Sequence, residues 1–229
     1  MITVDNIDVW GFEHAIRGMR NPMNSWDKSD SEYMLANFCD AGYSVGENDL
    51  DLMRRLYKAG TEHRKYLRQI MVSMDITAPL YWWKEFDTYK VGTVANSCST
   101  MHKIHSKEFE LDDFSHEHLL DGWDNKKELV EYNQEYGNTS KDVIEWLIYA
   151  LNVFRKLYLE TKDKKYWWQL IQLLPSSYNQ KRTITMNYEN VITIIKQRTG
   201  HKLDEWNDFV KILRDLPYIE EIINGSEVE

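Results

Sequence analysis

The feature that most constrains this chain is a strictly alternating segment between positions 71 and 78. Val72, Met74, Ile76 and Ala78 would face one side, and Met71, Ser73, Asp75 and Thr77 the other. A period of two is typical of a strand that is buried on one face. The segment therefore predicts a half-buried β-strand that Pro79 ends.

Other patterns predict helices and two further strands around this segment. Strands are expected at 2–10 and 181–187. Helices are expected at 12–19, from a cap at Asn48 to Gly60, from Leu80 onward, at 140–162 with Ser140 as cap, and at 164–174, 188–199 and 202–216. The inner face of the long helix at 140–162 would carry Val143, Trp146, Leu147, Ala150, Phe154 and Leu157. Loops are expected at 21–47 and 92–100, with an acidic, irregular surface segment at 109–127.

These elements predict an α+β fold: a single mixed domain over 1–229, in which an antiparallel-type sheet packs with several helices. With 229 residues, of which 42% are hydrophobic, the chain is long enough to bury a real core. The two cysteines, Cys39 and Cys98, are too few for a disulfide scaffold and fit a reducing cytosol.

Charge and hydropathy exclude several classes of partner. Lys and Arg number 28 against 37 Asp and Glu, a net charge of −9, which disfavours a general nucleic-acid binder but leaves room for a local basic pocket. No basic flank with an apolar run opens the chain, and no stretch approaches the roughly 18 apolar residues that span a bilayer. We therefore expect a cytoplasmic protein without a membrane partner. The 9 tryptophans would pack mostly in the core, although Trp82-Trp83 and Trp167-Trp168 could also supply subunit interfaces.

The most informative local pattern follows Asn187, a good helix cap. Val191, Ile194, Ile195 and Arg198 then fall on one helical face. An arginine on an apolar face requires an anionic partner if it is buried. One interpretation is a structural cap at Asn187 with an internal salt bridge from Arg198 to Asp204 or Glu205. The other is a pair of polar groups directed at a ligand, because eleven residues are about three turns and align both on one side.

Two weaker clusters stand beside this one. His63, Arg64, Lys65 and Arg68 could bind phosphate, or could simply be a solvated helix end. Cys98, His102, His105, His116 and His118 offer zinc ligands, but their spacing matches no standard zinc motif, and we expect no metal. The sequence also lacks a glycine-rich phosphate loop, a Gly-x-Ser-x-Gly elbow and a His-Glu-x-x-His motif.

The order of these features resembles the flavin-dependent thymidylate synthases over nearly the whole chain. The resemblance includes the Ala15–Arg20 segment, the strand ending in Ala78-Pro79, the aromatic helix and polar loop after it, and Leu174-Pro175 before a short strand. Asn187 and Arg198 match, in type and spacing, a flavin-contacting Asn and an Arg that holds the pyrimidine of deoxyuridine monophosphate. His63 matches a His of the family that lies close to the flavin.

The family signature itself is altered in this chain. Where the family has Arg-His-Arg followed by Ser, Asn, Ser and Arg, this sequence has Thr88-Tyr89-Lys90 followed by Thr93, Asn96, Ser99 and Met101. The Gln before the signature is Glu85, and an Arg that grips the substrate phosphate is Ile171. Lysine does not replace arginine at a fork-shaped phosphate site. Lys65, Arg64 or Arg182 could restore such contacts.

The resemblance implies the reductive methylation of a pyrimidine deoxynucleotide monophosphate, dUMP or a related base, in a homotetramer. Methylenetetrahydrofolate would supply the carbon, and FAD reduced by NADPH would supply the hydride. Arg198 would be catalytic and substrate-binding, because it would polarise the base, and Tyr89 could stack on the flavin. The implied cofactor-binding residues are Asn187, His63, Tyr89, Lys90 and Asn96, and the implied substrate-binding residues are Arg198, Ser99 and Glu85. The alternative is a catalytically silent nucleotide- or flavin-binding protein, and a weaker one is an interaction protein with a Trp-rich surface.

Overall fold

A computed structural model describes residues 2–34, 42–120 and 139–225 of the chain. Its strands are β1 (Thr3–Trp10), β2 (Glu32–Tyr33), β3 (Tyr43–Ser44), β4 (Met71–Pro79), β5 (Thr93–Ser97) and β6 (Asn179–Asn187). Its α-helices are α1 (Phe12–Arg20), α2 (Glu47–Lys58), α3 (Leu80–Phe86), α4 (Thr100–Lys103), α5 (Ser140–Thr161), α6 (Lys164–Leu173), α7 (Tyr188–Arg198), α8 (Asp204–Arg214) and α9 (Ile219–Asn224).

The main sheet is antiparallel and has four strands in the order β1-β4-β6-β5. Strand β4 has the predicted alternation, because Val72, Met74, Ile76 and Ala78 are all fully buried. Strand β6 buries Ile184 and Met186 in the same way. The mixed α+β class expected from the sequence is confirmed.

The described residues form two compact units. One consists of Thr77–Asp87 and Ser97–Arg182 with the first residues of the chain, and the other of Val4–Ile76, Thr88–Asn96 and Thr183–Glu229. The first unit has a core of its own, built from six buried residues of α5, α6 and the segment between α4 and α5: Ile104, Phe109, Phe114, Ile144, Leu151 and Leu170. The single domain expected over 1–229 stays a prediction.

Several local predictions were wrong for identifiable reasons. The expected loop at 92–100 contains the edge strand β5, whose valine and threonine the polar composition obscured. Phe109 and Phe114 are buried, so the expected surface segment enters the core as far as it is described. The last part of that expected segment, 121–127, and Cys39 lie outside the described residues. Helix α9 was not predicted.

Helix caps were also misassigned by one or two positions. Helix α5 is capped by Thr139, in a capping box with Asp142, rather than by Ser140. Val143 and Trp146 are exposed instead of facing inward. Helix α2 begins before Asn48, and the side chain of Asp30 accepts the backbone N–H groups of Asn48 and Asp49.

The tryptophan pairs differ in burial. Trp82 and Trp83 are fully buried within this chain, so the prediction that they supply a subunit interface was wrong. Trp168 is 43% exposed.

None of the described helices is both long enough and apolar enough to cross a bilayer.

Candidate functional site

Helix α7 positions both residues of the strongest sequence pattern. Strand β6 runs directly into it at Asn187, whose side-chain Oδ1 accepts the backbone N–H of Asn190 at 3.0 Å. The cap predicted from the sequence is therefore present. Val191, Ile194 and Ile195 bury the inner face of the helix, and Arg198 is half-buried at its last turn.

Arg198 lies in a cluster of aromatic rings. Its guanidinium carbon is 4.4 Å from the ring centroid of the fully buried Trp206 and 5.6 Å from that of Tyr89. Its Nε donates to the Tyr89 hydroxyl at 2.9 Å, and its Nη1 lies 3.1 Å from Nε2 of His201. Contact with aromatic faces restricts the orientation of a guanidinium. The cluster therefore holds Arg198 in one orientation.

The altered signature stretch runs along the same helix. At the far end of α7, the Tyr89 hydroxyl donates to Gln197 Oε1 at 3.0 Å. Near the start of the helix, Asn190 Nδ2 donates to the carbonyl of Val91 and to the hydroxyl of Thr93. Two of the predicted site residues, Tyr89 and Arg198, are thus in direct contact.

Gly92 brings this stretch against Asn187. Its φ of +76° lies in the left-handed region that favours glycine, and a Cβ built there would lie 2.6 Å from Asn187 Nδ2. Asn187 is therefore shared between two tasks. Its oxygen caps the helix, and its amide nitrogen faces the backbone at Gly92.

The basic run before β4 is tied to the first turn of α7. Glu189 forms ion pairs with Arg64, at 3.4 Å, and with Arg68. The hydrogen bond to Glu189 raises the pKa of Arg68. An acidic side chain in the first turn of a helix also interacts favourably with its dipole. Arg64 and Arg68 thus have a structural role here, while His63 is exposed beside them.

Lys90 and Asn96 follow Tyr89 on the same stretch, and both are exposed. Within the described ranges, no hydrogen bond or ion pair holds either side chain. Both side chains are therefore available to a ligand.

The remaining predicted residues, Ser99 and Glu85, belong to the other compact unit. Ser99 caps α4 by accepting the N–H of His102, and it lines a cavity of about 380 Å³ with Cys98 and Lys181. Glu85 is half-buried on α3. Their predicted roles in substrate binding stay predictions.

Arg182, a candidate for phosphate binding, is held elsewhere in that unit. Its Nη1 donates to Asp87 at 2.9 Å, its Nε donates to Gln180 at 3.0 Å, and its guanidinium lies 4.2 Å from the ring centroid of Trp83. Asp87 directly precedes the signature stretch. Arg182 therefore holds Asp87, the C-terminal cap of α3, within that unit.

The possible zinc ligands do not form a site. In the part of the chain that the structure describes, no three His, Cys, Asp or Glu side chains are placed to hold a metal ion. His105 packs its ring against Tyr158, and burial lowers its pKa. Cys98 is an exposed free thiol.

Sequence reasoning missed the residues that surround Arg198. Trp206 and His201 were not singled out, since a buried tryptophan and a histidine beside Gly200 both read as ordinary core and turn residues. The signal that could have found them was their spacing, because His201 lies three residues and Trp206 eight residues after Arg198. Asn190 and Gly92 were missed for a similar reason, because their roles depend on a loop contact that no periodicity encodes.

No family model matches this sequence, and no curated protein does. Solved structures do. Thymidylate Synthase X (ThyX) from Helicobacter pylori, with FAD and dUMP, is similar over 96% of this chain and 96% of its own, with 18% identity and a TM-score of 0.62. Another structure of flavin-dependent ThyX from that bacterium, complexed with FAD and dUMP, is similar over 96% and 95%, with 18% identity and a TM-score of 0.60.

A third similar structure is that of a nucleotide methylase. The UMP/dUMP methylase PolB from Streptomyces cacaoi, bound with 5-Br dUMP, is similar over 93% of this chain and 88% of its own, with 14% identity and a TM-score of 0.59. At such identities the likeness concerns the fold, and it extends over nearly the entire length of each chain. The resemblance predicted from the order of elements is thereby confirmed at the level of structure: this chain has the fold of the flavin-dependent thymidylate synthases.

Proposed function

We propose that this protein methylates the base of a pyrimidine deoxynucleotide monophosphate, dUMP or a close relative, in a flavin-dependent reaction. Methylenetetrahydrofolate would be the carbon donor and NADPH the reductant, in a homotetramer. The observation that carries the proposal is the Arg198 cluster. The guanidinium of Arg198, in contact with the rings of Trp206 and Tyr89, lies at one end of α7, and Asn187 lies at the other.

Arg198 would bind the base and make its ring carbon more nucleophilic. A guanidinium edge donates to carbonyl oxygens, and its fixed charge would stabilise an anionic, enolate-like form of the base, in which negative charge lies on those oxygens and the ring carbon is nucleophilic. Because Tyr89 and Trp206 already fix the guanidinium plane, little reorganisation accompanies binding. This reaction requires no cysteine nucleophile, and Cys98 is given no role in it.

The residues along α7 fit a flavin. A side chain at position 92 would block the close approach of the Gly92 backbone to the amide nitrogen of Asn187. Asn187 would orient the isoalloxazine, Tyr89 would stack against it, and His63, Lys90 and Asn96 would contact its polar parts. When bound, the flavin would supply the hydride that completes the methyl group.

A catalytically silent nucleotide- or flavin-binding protein is the second candidate, and a specific observation favours it. Two of the three cations that could replace the missing phosphate-binding arginines are engaged by acids: Arg64 by Glu189 and Arg182 by Asp87. A nucleotide could still bind through Arg198 under these conditions. Its phosphate would then be held too loosely for efficient turnover.

The absorbance spectrum of the freshly purified protein, followed by FAD titration, tests the shared part of both candidates. We expect a yellow protein or saturable FAD binding. Methyl transfer from methylenetetrahydrofolate to dUMP, or flavin-dependent oxidation of NADPH, would eliminate the silent protein. A colourless protein with no affinity for FAD would contradict flavin dependence.

Substitution of Arg198 tests the proposed substrate contact. Arg198→Ala should weaken dUMP binding by about 10- to 100-fold, because it removes a charge-assisted hydrogen bond. Arg55→Ala is the matched control, since Arg55 is exposed and its side chain forms a surface ion pair with Asp51. Equal dUMP affinity in Arg198→Ala and the control would show that Arg198 does not bind the nucleotide.

A further inference from the structure

A second cavity lies in the unit that contains α1 and α2, and none of the residues assigned to the proposed methylation lines it. Its volume is about 590 Å³, within the range of small-molecule sites. The cavity is lined by two arginines, two aromatic residues, one glutamate and three smaller residues: Arg17, Arg20, Trp26, Tyr43, Glu13, Ile16, Asn21 and Ser29.

The wall of this cavity contains a buried cation. Arg20 is 4% exposed, and its Nε donates to the fully buried Asp49 at 2.5 Å. Its Nη1 donates to the carbonyl of Ser25 at 3.1 Å. Among the described residues, no hydrogen bond uses its second terminal nitrogen, Nη2. Because Arg20 lines the cavity, this N–H group is available to a molecule that enters it.

The charge of Asp49 is shared among several donors besides Arg20. The hydroxyls of Ser29 and Ser31 each donate to its Oδ2 at 2.7 Å, and the backbone N–H of Asp30 donates at 3.2 Å. Neutral donors to a carboxylate spread its charge. The network around Asp49 thus holds Arg20 in one orientation at the wall of the cavity.

The other walls present flat rings and a second arginine. The indole N–H of Trp26 donates to Asn21 Oδ1 at 2.8 Å, which fixes a ring that is 51% exposed. Arg17 is exposed on α1. The one acid of the lining, Glu13, already accepts a hydrogen bond from Tyr33 at 2.7 Å.

From these contacts we infer that the cavity is a binding site for a small planar aromatic anion. The ring of the ligand would pack against the oriented indole of Trp26. Its carboxylate or phosphate would accept hydrogen bonds from Arg20 Nη2 and Arg17. Such a ligand uses the exposed aromatic surface and the available cationic N–H groups at once.

Calorimetric titration with anthranilate, a planar aromatic carboxylate, tests the site in the full chain. We expect saturable binding that weakens about tenfold in Arg17→Gln and in Trp26→Leu, since each loses one of the two contacts. Both substituted residues are substantially exposed, so the variants should fold. Arg55→Gln and Trp10→Leu are matched controls outside this cavity lining and should bind like the parent.

Four results would overturn the inference. They are no saturable heat with anthranilate, equal binding in the cavity variants and their controls, equal binding of the neutral 2-aminobenzamide, and displacement of anthranilate by dUMP. The last would place the probe in the nucleotide site. A failure of the methylation assay leaves this test unaffected, because anthranilate binding does not depend on Arg198.

Discussion

Substitution of Gly92 by alanine perturbs the contact that joins the signature stretch to α7. Gly92 has a φ of +76°, and an added Cβ would lie 2.6 Å from Asn187 Nδ2 and 3.3 Å from Asn190 Nδ2. Asn187 would have to move, and its Oδ1 would then give up the cap on α7. The substitution should therefore cost both backbone strain and a helix cap.

The magnitude follows from these two terms. A left-handed conformation costs a residue with a Cβ about 1–2 kcal/mol, partly offset by the reduced freedom of the unfolded chain. A lost asparagine cap costs about 1 kcal/mol more. We expect Gly92→Ala to lower the free energy of unfolding by about 2 kcal/mol, to be measured by urea denaturation.

Gly200→Ala is the matched control for this experiment. Gly200 has a φ of +72°, and a Cβ there would meet no atom within 4 Å. It should lose only the strain term, about 1 kcal/mol. Equal losses in both variants would refute the contact with Asn187. In an Asn187→Ala background the excess cost of Gly92→Ala should disappear.

Three further predictions concern single contacts. Tyr89→Phe keeps the ring beside Arg198 but removes the hydroxyl that accepts a hydrogen bond from Arg198 Nε. The affinity for dUMP, measured by calorimetry, should therefore fall about 5- to 10-fold with the fold unchanged. An unchanged affinity would contradict the role of Tyr89 in orienting Arg198. Asp49→Asn should lower the free energy of unfolding by about 3 kcal/mol, against little change for the exposed Asp51→Asn. Burial alone would raise the pKa of Asp49, but hydrogen bonds from Ser29, Ser31 and Arg20 outweigh burial, so the pKa is lowered. The stabilisation by the Asp49 carboxylate should therefore be complete above the ordinary pKa near 3.8 and be lost as the pH falls below that value. Urea titrations at several pH values should show this loss in the parent protein and not in Asp49→Asn. Glu189→Gln should destabilise the protein by about 1 kcal/mol at low salt and less at high salt, since it releases Arg64 and the exposed Arg68; a salt-independent loss would argue against the ion pairs.

Regular periodicity made the central part of the fold predictable. Strand β4 and the buried face of α7 follow directly from alternation and helical spacing, because burial on one face imposes a period on the sequence. The cap at Asn187 was predictable for the same local reason. The position of Arg198 at the end of that helix required only the count of turns.

The rest depended on contacts between distant segments. Nothing local shows that Tyr89 would meet Arg198, that Trp206 would stack on the same guanidinium, or that Glu189 would engage the basic run. Strand β5 is an edge strand of mixed composition, which gives it no clear period. The burial of Phe109 and Phe114 reflects the packing of α5 and α6, which the acidic residues around them concealed.

The role of Arg198 in nucleotide binding is tested most directly by the affinity for dUMP of the FAD-loaded protein, compared between the parent chain, Arg198→Ala and Arg55→Ala. We expect saturable dUMP binding in the parent and in Arg55→Ala, with a loss of about 10- to 100-fold in Arg198→Ala. Binding of the same strength in all three proteins, or no dUMP binding in the parent, would contradict that role.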